Sequence, residues 1–289
     1  MIFAEEWPLM TFTLLSQLAI GMFIILMLVK ISLGNRDAQV SKAIHTGFTV
    51  VGPLTILALI FSVFHLGDPL GAPRSLFNLG SSWLSREIIT ASGFLILWFA
   101  FWWLSRNGKD SNAIGWAAVV LGCAAVFSMA SIYSTSIRPA WDNANTYIAF
   151  FGATLAMGVL GSAGILAFGL KGSSAVGLIK SLKNMAYLGA AAVLLPMAYL
   201  PIFISGLSGG GSAAEASANI LSGSMGMLVS RGVLSVAGAG LLIYALQQGA
   251  KGKKLSSGAI YLAFVLVVAG EFIGRYLFYA MGVSPMIGT

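Results

Sequence analysis

The run IHTGFTVVGPLTILALIFSVFHLGDP, residues 44–69, sets the fold. From Thr46 to Phe64 it carries no charged side chain. A helix of that length covers the ~30 Å hydrocarbon core of a bilayer. The run ends on His65 and Asp68, and the next apolar run opens on Ser85-Arg86-Glu87-Ile88. If both runs span, an antiparallel pair brings His65 and Glu87 to one membrane face. Ionisable groups beside hydrocarbon are costly, so these two are functional candidates at the outset.

The rest of the sequence follows the same pattern. Of its 289 residues 58% are hydrophobic and 9% charged, with a mean hydropathy of +0.90. Soluble domains carry about 25% charged residues. So much apolar surface cannot hide in one core, and the bilayer serves as solvent. We expect an all-α integral membrane protein of about eight transmembrane helices. They fall near Trp7–Leu33, Ile44–His65, Ser85–Ser105, Ala113–Ile137, Thr146–Leu170, Lys183–Gly206, Ile220–Ala250 and Ser257–Met281. The breaks between them are rich in Gly, Pro and Ser.

A net charge of +7 would suit nucleic acid if the basic residues formed a stripe. They instead cluster in short loops. Loops after the odd spans hold eleven of the sixteen, among them Lys30, Arg36, Lys42, Arg106 and Lys109. The opposite side offers Arg74, Arg86 and Arg138 among acidic residues. The positive-inside rule then places both termini outside, and with them His65 and Glu87. The N-terminal segment lacks a positive n-region, so no cleavable signal peptide is expected. The single cysteine, Cys123, lies within a span and excludes an intrachain disulfide.

Comparing the two halves gives a weak repeat. Pro53 aligns with Pro196, Ser85-Arg86 with Ser230-Arg231, Ala113-Ile114 with Ala259-Ile260, and Tyr133 with Tyr279. Four spans per half keep the same orientation, which makes a parallel repeat. The protein is therefore expected to form a single transmembrane domain, 1–289, with four-helix halves 1–142 and 143–289. Arg86 and Arg231 are expected to share a structural task, such as tying a helix end. The Glu87 position becomes Gly232, so the protonatable pair belongs to one half.

Membrane cytochromes hold haem between histidines on facing helices. Here only His45 and His65 exist, both on span two and ~30 Å apart at helical rise. No haem, iron–sulfur cluster or metal site is expected in this protein. A quinol fits better. A histidine can partner a ring hydroxyl near working pH, and a nearby carboxylate can carry the proton away. The expected quinol site is His65, Glu87, Arg86, Trp83 and Tyr133, with His65 and Glu87 as its catalytic pair. Trp7 and Trp141 map near the same face, where aromatic residues form an interfacial belt by default. Glu271 and Arg275 are four apart on the last span and are expected to form a structural ion pair. The intramembrane charges Arg231, Glu271 and Arg275 also suit a secondary transporter. A passive tether is a third reading.

Several blocks carry a resemblance to a known family. They are Glu6-Trp7-Pro8-Leu9-Met10, His65-Leu66-Gly67-Asp68-Pro69, Ser85-Arg86-Glu87-Ile88, Tyr133 followed by Pro139-Ala140-Trp141, and Gly270-Glu271-Phe272-Ile273-Gly274-Arg275. Together they resemble the membrane anchor subunit of dimethyl sulfoxide reductase, along the whole sequence. The resemblance implies an eight-helix, haem-free subunit of the cytoplasmic (inner) membrane of a prokaryote, with both termini periplasmic. It implies oxidation of menaquinol and electron transfer to a four-cluster iron–sulfur subunit, which feeds a molybdopterin catalytic subunit. Reduction of the terminal acceptor would then occur in that partner. The family's quinol-site histidine and glutamate map to His65 and Glu87. Asp68 and Arg86 stand where the resemblance leads one to expect Ser and Asn. Anchors of the polysulfide or nitrite reductase type share the plan and differ in partner.

Overall fold

The computed structural model describes residues 2–33, 38–64, 78–109, 111–169 and 176–285. Among them are nine helices: α1 (Ile2–Ser32), α2 (Ala38–Phe64), α3 (Trp83–Arg106), α4 (Asn112–Ser134), α5 (Ala144–Gly169), α6 (Val176–Leu207), α7 (Ser212–Gly223), α8 (Met225–Ala250) and α9 (Ser257–Ala280). Eight are long and apolar enough to span, and α7 is the exception. The protein is an all-α integral membrane protein. In hydrocarbon each backbone polar group must be satisfied within its own segment, and a helix does this.

Burial separates the helices into two layers. In the most apolar window of α1, 83% of residues are buried, and in α5 67%; in α3 the share is 22%. Helices α1 and α5 are thus the central pair, and the others present broad faces to lipid. The central pair meets backbone to backbone. A Cβ built on Gly21 would strike the carbonyl of Thr154 and the Cα of Gly158, and one on Gly158 would strike the Gly21 backbone. Small residues permit such an approach, and van der Waals packing drives association where lipid offers no hydrophobic gain. Ser162 Oγ donates to Met22 O at 3.4 Å across the same seam.

Around the pair, α2 packs on α1 and α4 on α3, while α6 packs on α5 and α9 on α8. Gly52 of α2 admits the Trp98 ring of α3, whose Nε1 donates to Phe48 O at 2.7 Å. Phe23 of α1 meets Phe48, Phe94 and Phe101 edge-on at 5.3–5.6 Å. In the second half Gly238 of α8 lies against the Ala263 carbonyl of α9, and Gly189 of α6 against Val159 of α5. The spanning helices thus pack as sequential pairs, α1 with α2, α3 with α4, α5 with α6 and α8 with α9.

Several helix starts differ from the sequence reading: α1 begins at Ile2 and α2 at Ala38, which puts Lys42 on α2. The sixth helix starts at Val176, so Lys180 and Lys183 lie on α6 and not in a loop. The seventh span does not begin at Ile220. Ser224 caps a separate amphipathic helix, α7, and the span starts at Met225. Ser217 Oγ of α7 donates to Met281 O at 2.8 Å, which pins α7 over the end of α9.

Gly158→Val should force α1 and α5 apart. Its cost should reach the upper end of the ~1–3 kcal/mol typical of overpacking. Gly240→Val, which meets nothing within 4 Å, should cost little. Thermal unfolding of the two purified variants checks the contrast.

Candidate functional site

Of the five residues expected at the site, Trp83, Arg86 and Glu87 lie where α3 begins and Tyr133 where α4 ends. Ser82 caps α3, its side chain accepting from Ser85 N at 3.3 Å. This fixes the first turn and turns Glu87 inward, where it is 6% exposed. Tyr133 of α4 is also buried and lies within electrostatic range of Glu87. Both residues lie at the same end of the α3–α4 pair, Glu87 in the first turns of α3 and Tyr133 in the last turn of α4.

Arg86 and Trp83 stand apart from that buried pair. The Arg86 guanidinium donates to Leu79 O at 2.9 Å and Gly80 O at 2.8 Å, and lies over the Trp83 ring at 4.1 Å. Trp83 in turn meets Phe127 edge-on at 5.6 Å. Arg86 therefore ties the turn before α3. Its counterpart Arg231 does something else, pairing with Glu271 at 3.8 Å. The shared task expected of the two arginines is not what the structure has. His65 and Asp68 lie outside the described residues.

Tyr133 leads into the second half. Its hydroxyl is 2.8 Å from that of Tyr279, the residue 146 positions later that the alignment of the halves pairs with it. Thr13 and Glu6 of α1 face Tyr279 from the first helix. The Tyr133 ring meets Trp141 at 5.1 Å and Phe278 at 5.2 Å, both edge-on. Trp141 stacks on Phe278 at 5.6 Å and 14°, and its Nε1 donates to Phe278 O at 2.7 Å. Trp141 and Tyr133 are thus buried against the end of α9 rather than exposed in an interfacial belt. Trp7 is 42% exposed and meets Phe61 edge-on at 5.8 Å.

Arg275 and Glu271 do not pair with each other. Arg275 Nη2 donates to Gln17 Oε1 of α1 at 2.8 Å, and its guanidinium lies over Phe150 of α5 at 3.9 Å. Glu271 turns to Arg231 of α8. Residues four apart share a helix face, but that face is divided here between two different neighbours. Gln17 is the member sequence reasoning missed. A buried amide on the central helix was the available signal. Among the described residues no group of three or more His, Cys, Asp or Glu gathers in a metal-binding cluster.

Comparisons with known proteins agree with the geometry's membrane character and extend it. Residues 3–281 match the family model described as DMSO reductase anchor subunit (DmsC). The sequence is 31% identical to the C subunit of anaerobic dimethyl sulfoxide reductase of Escherichia coli K12, over 96% of this protein and 95% of that one. It is 29% identical to the YnfH subunit of anaerobic dimethyl sulfoxide reductase of the same organism, with the same coverage of both proteins. To the C subunit of the Haemophilus influenzae enzyme it is 31% identical over 50% of its length and 53% of the relative's.

The Arg231 and Glu271 side chains are 21% and 9% exposed, so their pair counts as largely buried. Glu271→Gln should leave Arg231 without its anion and cost about 3 kcal/mol, the low end for broken buried pairs. Arg231→Met combined with Glu271→Met should regain most of that loss. A double-mutant cycle on thermal unfolding reads the difference.

Proposed function

The protein belongs to the dimethyl sulfoxide reductase anchor subunit family, and we propose that it oxidises menaquinol at the α3–α4 end of its first half. Its role as membrane anchor implies catalytic and iron–sulfur partner subunits. The finer reading is that the anchor docks a four-cluster iron–sulfur subunit, which passes electrons to a molybdopterin subunit. That end of the bundle would then face the periplasm of a prokaryotic inner membrane, as the loop charges suggest. Two four-helix halves, 1–142 and 143–289, belong to the same proposal and are supported by the sequential helix pairs, two in each half.

Oxidation of a quinol releases two protons and two electrons. In this reading His65 accepts a hydrogen bond from one ring hydroxyl. Glu87 takes the two protons in turn as the ring is oxidised and hands each toward the same face. Both electrons leave to the partner's nearest cluster. With site, proton exit and electron acceptor on one side, the step carries no net charge across the membrane. The observation that carries the reading is the Glu87 carboxyl, 6% exposed in the first turns of α3. An ionisable group in that position is functional by default, and acid–base assistance of this kind is worth ~10²–10⁴ in rate. Trp83 and Arg86 would form the outer wall, and Tyr133 the inner one.

Glu87→Gln should lower menaquinol-dependent turnover about 100-fold or more. His65→Leu should abolish it. Reduction of the acceptor by an artificial donor to the partner subunits should persist in both, because the complex stays assembled. Normal menaquinol turnover in either variant would overturn the assignment.

A further inference from the structure

The second half holds a cavity of its own, away from Glu87. It has a volume of about 130 Å³ and is lined by Arg231, Gly232, Glu271, Arg275, Pro196 and Leu228, among others. Gly232 occupies the position that aligns with Glu87. Helix α7 adds Leu221 to the lining, and the Ser217–Met281 bond holds that helix over the bundle end. The cavity lies inside the span. Arg231 is six residues into α8 and Arg275 five before the end of α9, or ~8–9 Å at helical rise.

Charge among the residues lining this cavity does not balance. Two guanidiniums face one carboxylate: Glu271 pairs with Arg231 at 3.8 Å and acts on Arg275 only from a longer range. Arg275 is 4% exposed, and its other close contacts are neutral: Gln17 Oε1 and the Phe150 and Phe278 rings. Its Nε has no hydrogen-bond acceptor among the described residues. A buried cation with a free donor is costly in a medium of low dielectric. Water would supply the acceptor and leave the charge. An anion supplies both, and the planar guanidinium fork suits phosphate oxygens.

The way in runs sideways between α6 and α8. Met197 of the lining is 37% exposed, and Arg231 keeps about a fifth of its side chain accessible. Leu194, Val229 and Val233 continue an exposed apolar surface on those helices, the kind of surface a lipid tail covers. From these observations we infer that the cavity between α6, α8 and α9 binds an anionic phosphate group, held by Arg275 and Arg231. Its source is the headgroup of an acidic membrane lipid or inorganic phosphate.

The test uses the purified, delipidated complex in detergent and follows thermal unfolding of the anchor. Three additions are compared: phosphatidylglycerol in mixed micelles, phosphatidylcholine as a neutral-headgroup control, and potassium phosphate against potassium chloride at equal ionic strength. A rise in the midpoint with phosphatidylglycerol alone assigns a lipid headgroup. A rise with phosphate as well assigns the free anion. Arg275→Gln should weaken the response at least tenfold in added ligand. Gly232→Leu keeps both arginines and adds a side chain to the cavity lining, and its Cβ would meet only the flexible Met197 terminus. It should remove the response even if Arg275→Gln fails to fold. The inference is overturned if neither acidic addition raises the midpoint, if phosphatidylcholine acts equally, or if Gly232→Leu responds as the parent does.

Discussion

The contact of Gly21 on Gly158 governs the whole bundle. It lets α1 and α5 touch along their backbones at the centre of the molecule. Each then carries its own set of helices outward, α2 against one and α6 against the other. Any side chain at this crossing would open the seam. The polar contacts nearby, Tyr133 with Tyr279 and Arg275 with Gln17 of α1, join helices packed around this pair. Packing between two glycines thus sets how closely α1 and α5 approach.

That junction shows how a membrane protein accommodates charge. Arg231 has a carboxylate partner, Glu271. Arg275 has an amide and two aromatic faces, whose quadrupoles attract a cation. Glu87 is buried without a salt-bridge partner among the described residues, and lies near a tyrosine. The three situations grade from structural to functional. A paired charge can stay fixed, whereas a buried carboxyl without a cation is suited to gain and lose a proton. In the proposed quinol chemistry this difference assigns proton handling to the first half and leaves the second half a cationic cavity.

The sequence made the spans legible because long charge-free runs have one physical outcome in a protein this apolar. It made Glu87 legible because a carboxylate at the mouth of such a run is conspicuous. Boundaries were less clear. The apolar residues of 220–250 hid the break at Ser224, although the Ser222-Gly223-Ser224 run carried a turn signal. Partners were least clear. Nothing local distinguishes a belt tryptophan from Trp141, which is buried by a ring 137 residues away. Nor does spacing alone choose between Arg275 and Arg231 as the partner of Glu271, since the choice depends on how α8 and α1 flank α9. The Tyr133–Tyr279 bond was foreshadowed by the alignment of the halves, which marked the residues without joining them. His65 lies outside the described residues, and its part in the proposed site rests on the sequence and the family.

Binding of quinol where α3 begins and α4 ends can be tested by photoaffinity labelling of the intact complex with an azido-quinone, followed by peptide mapping. Label is expected in the peptides holding Trp83–Ala91 and Phe127–Trp141, with competition by unlabelled menaquinone analogue. Competed label confined to the α8 and α9 segments around Arg231 and Arg275 would contradict that placement.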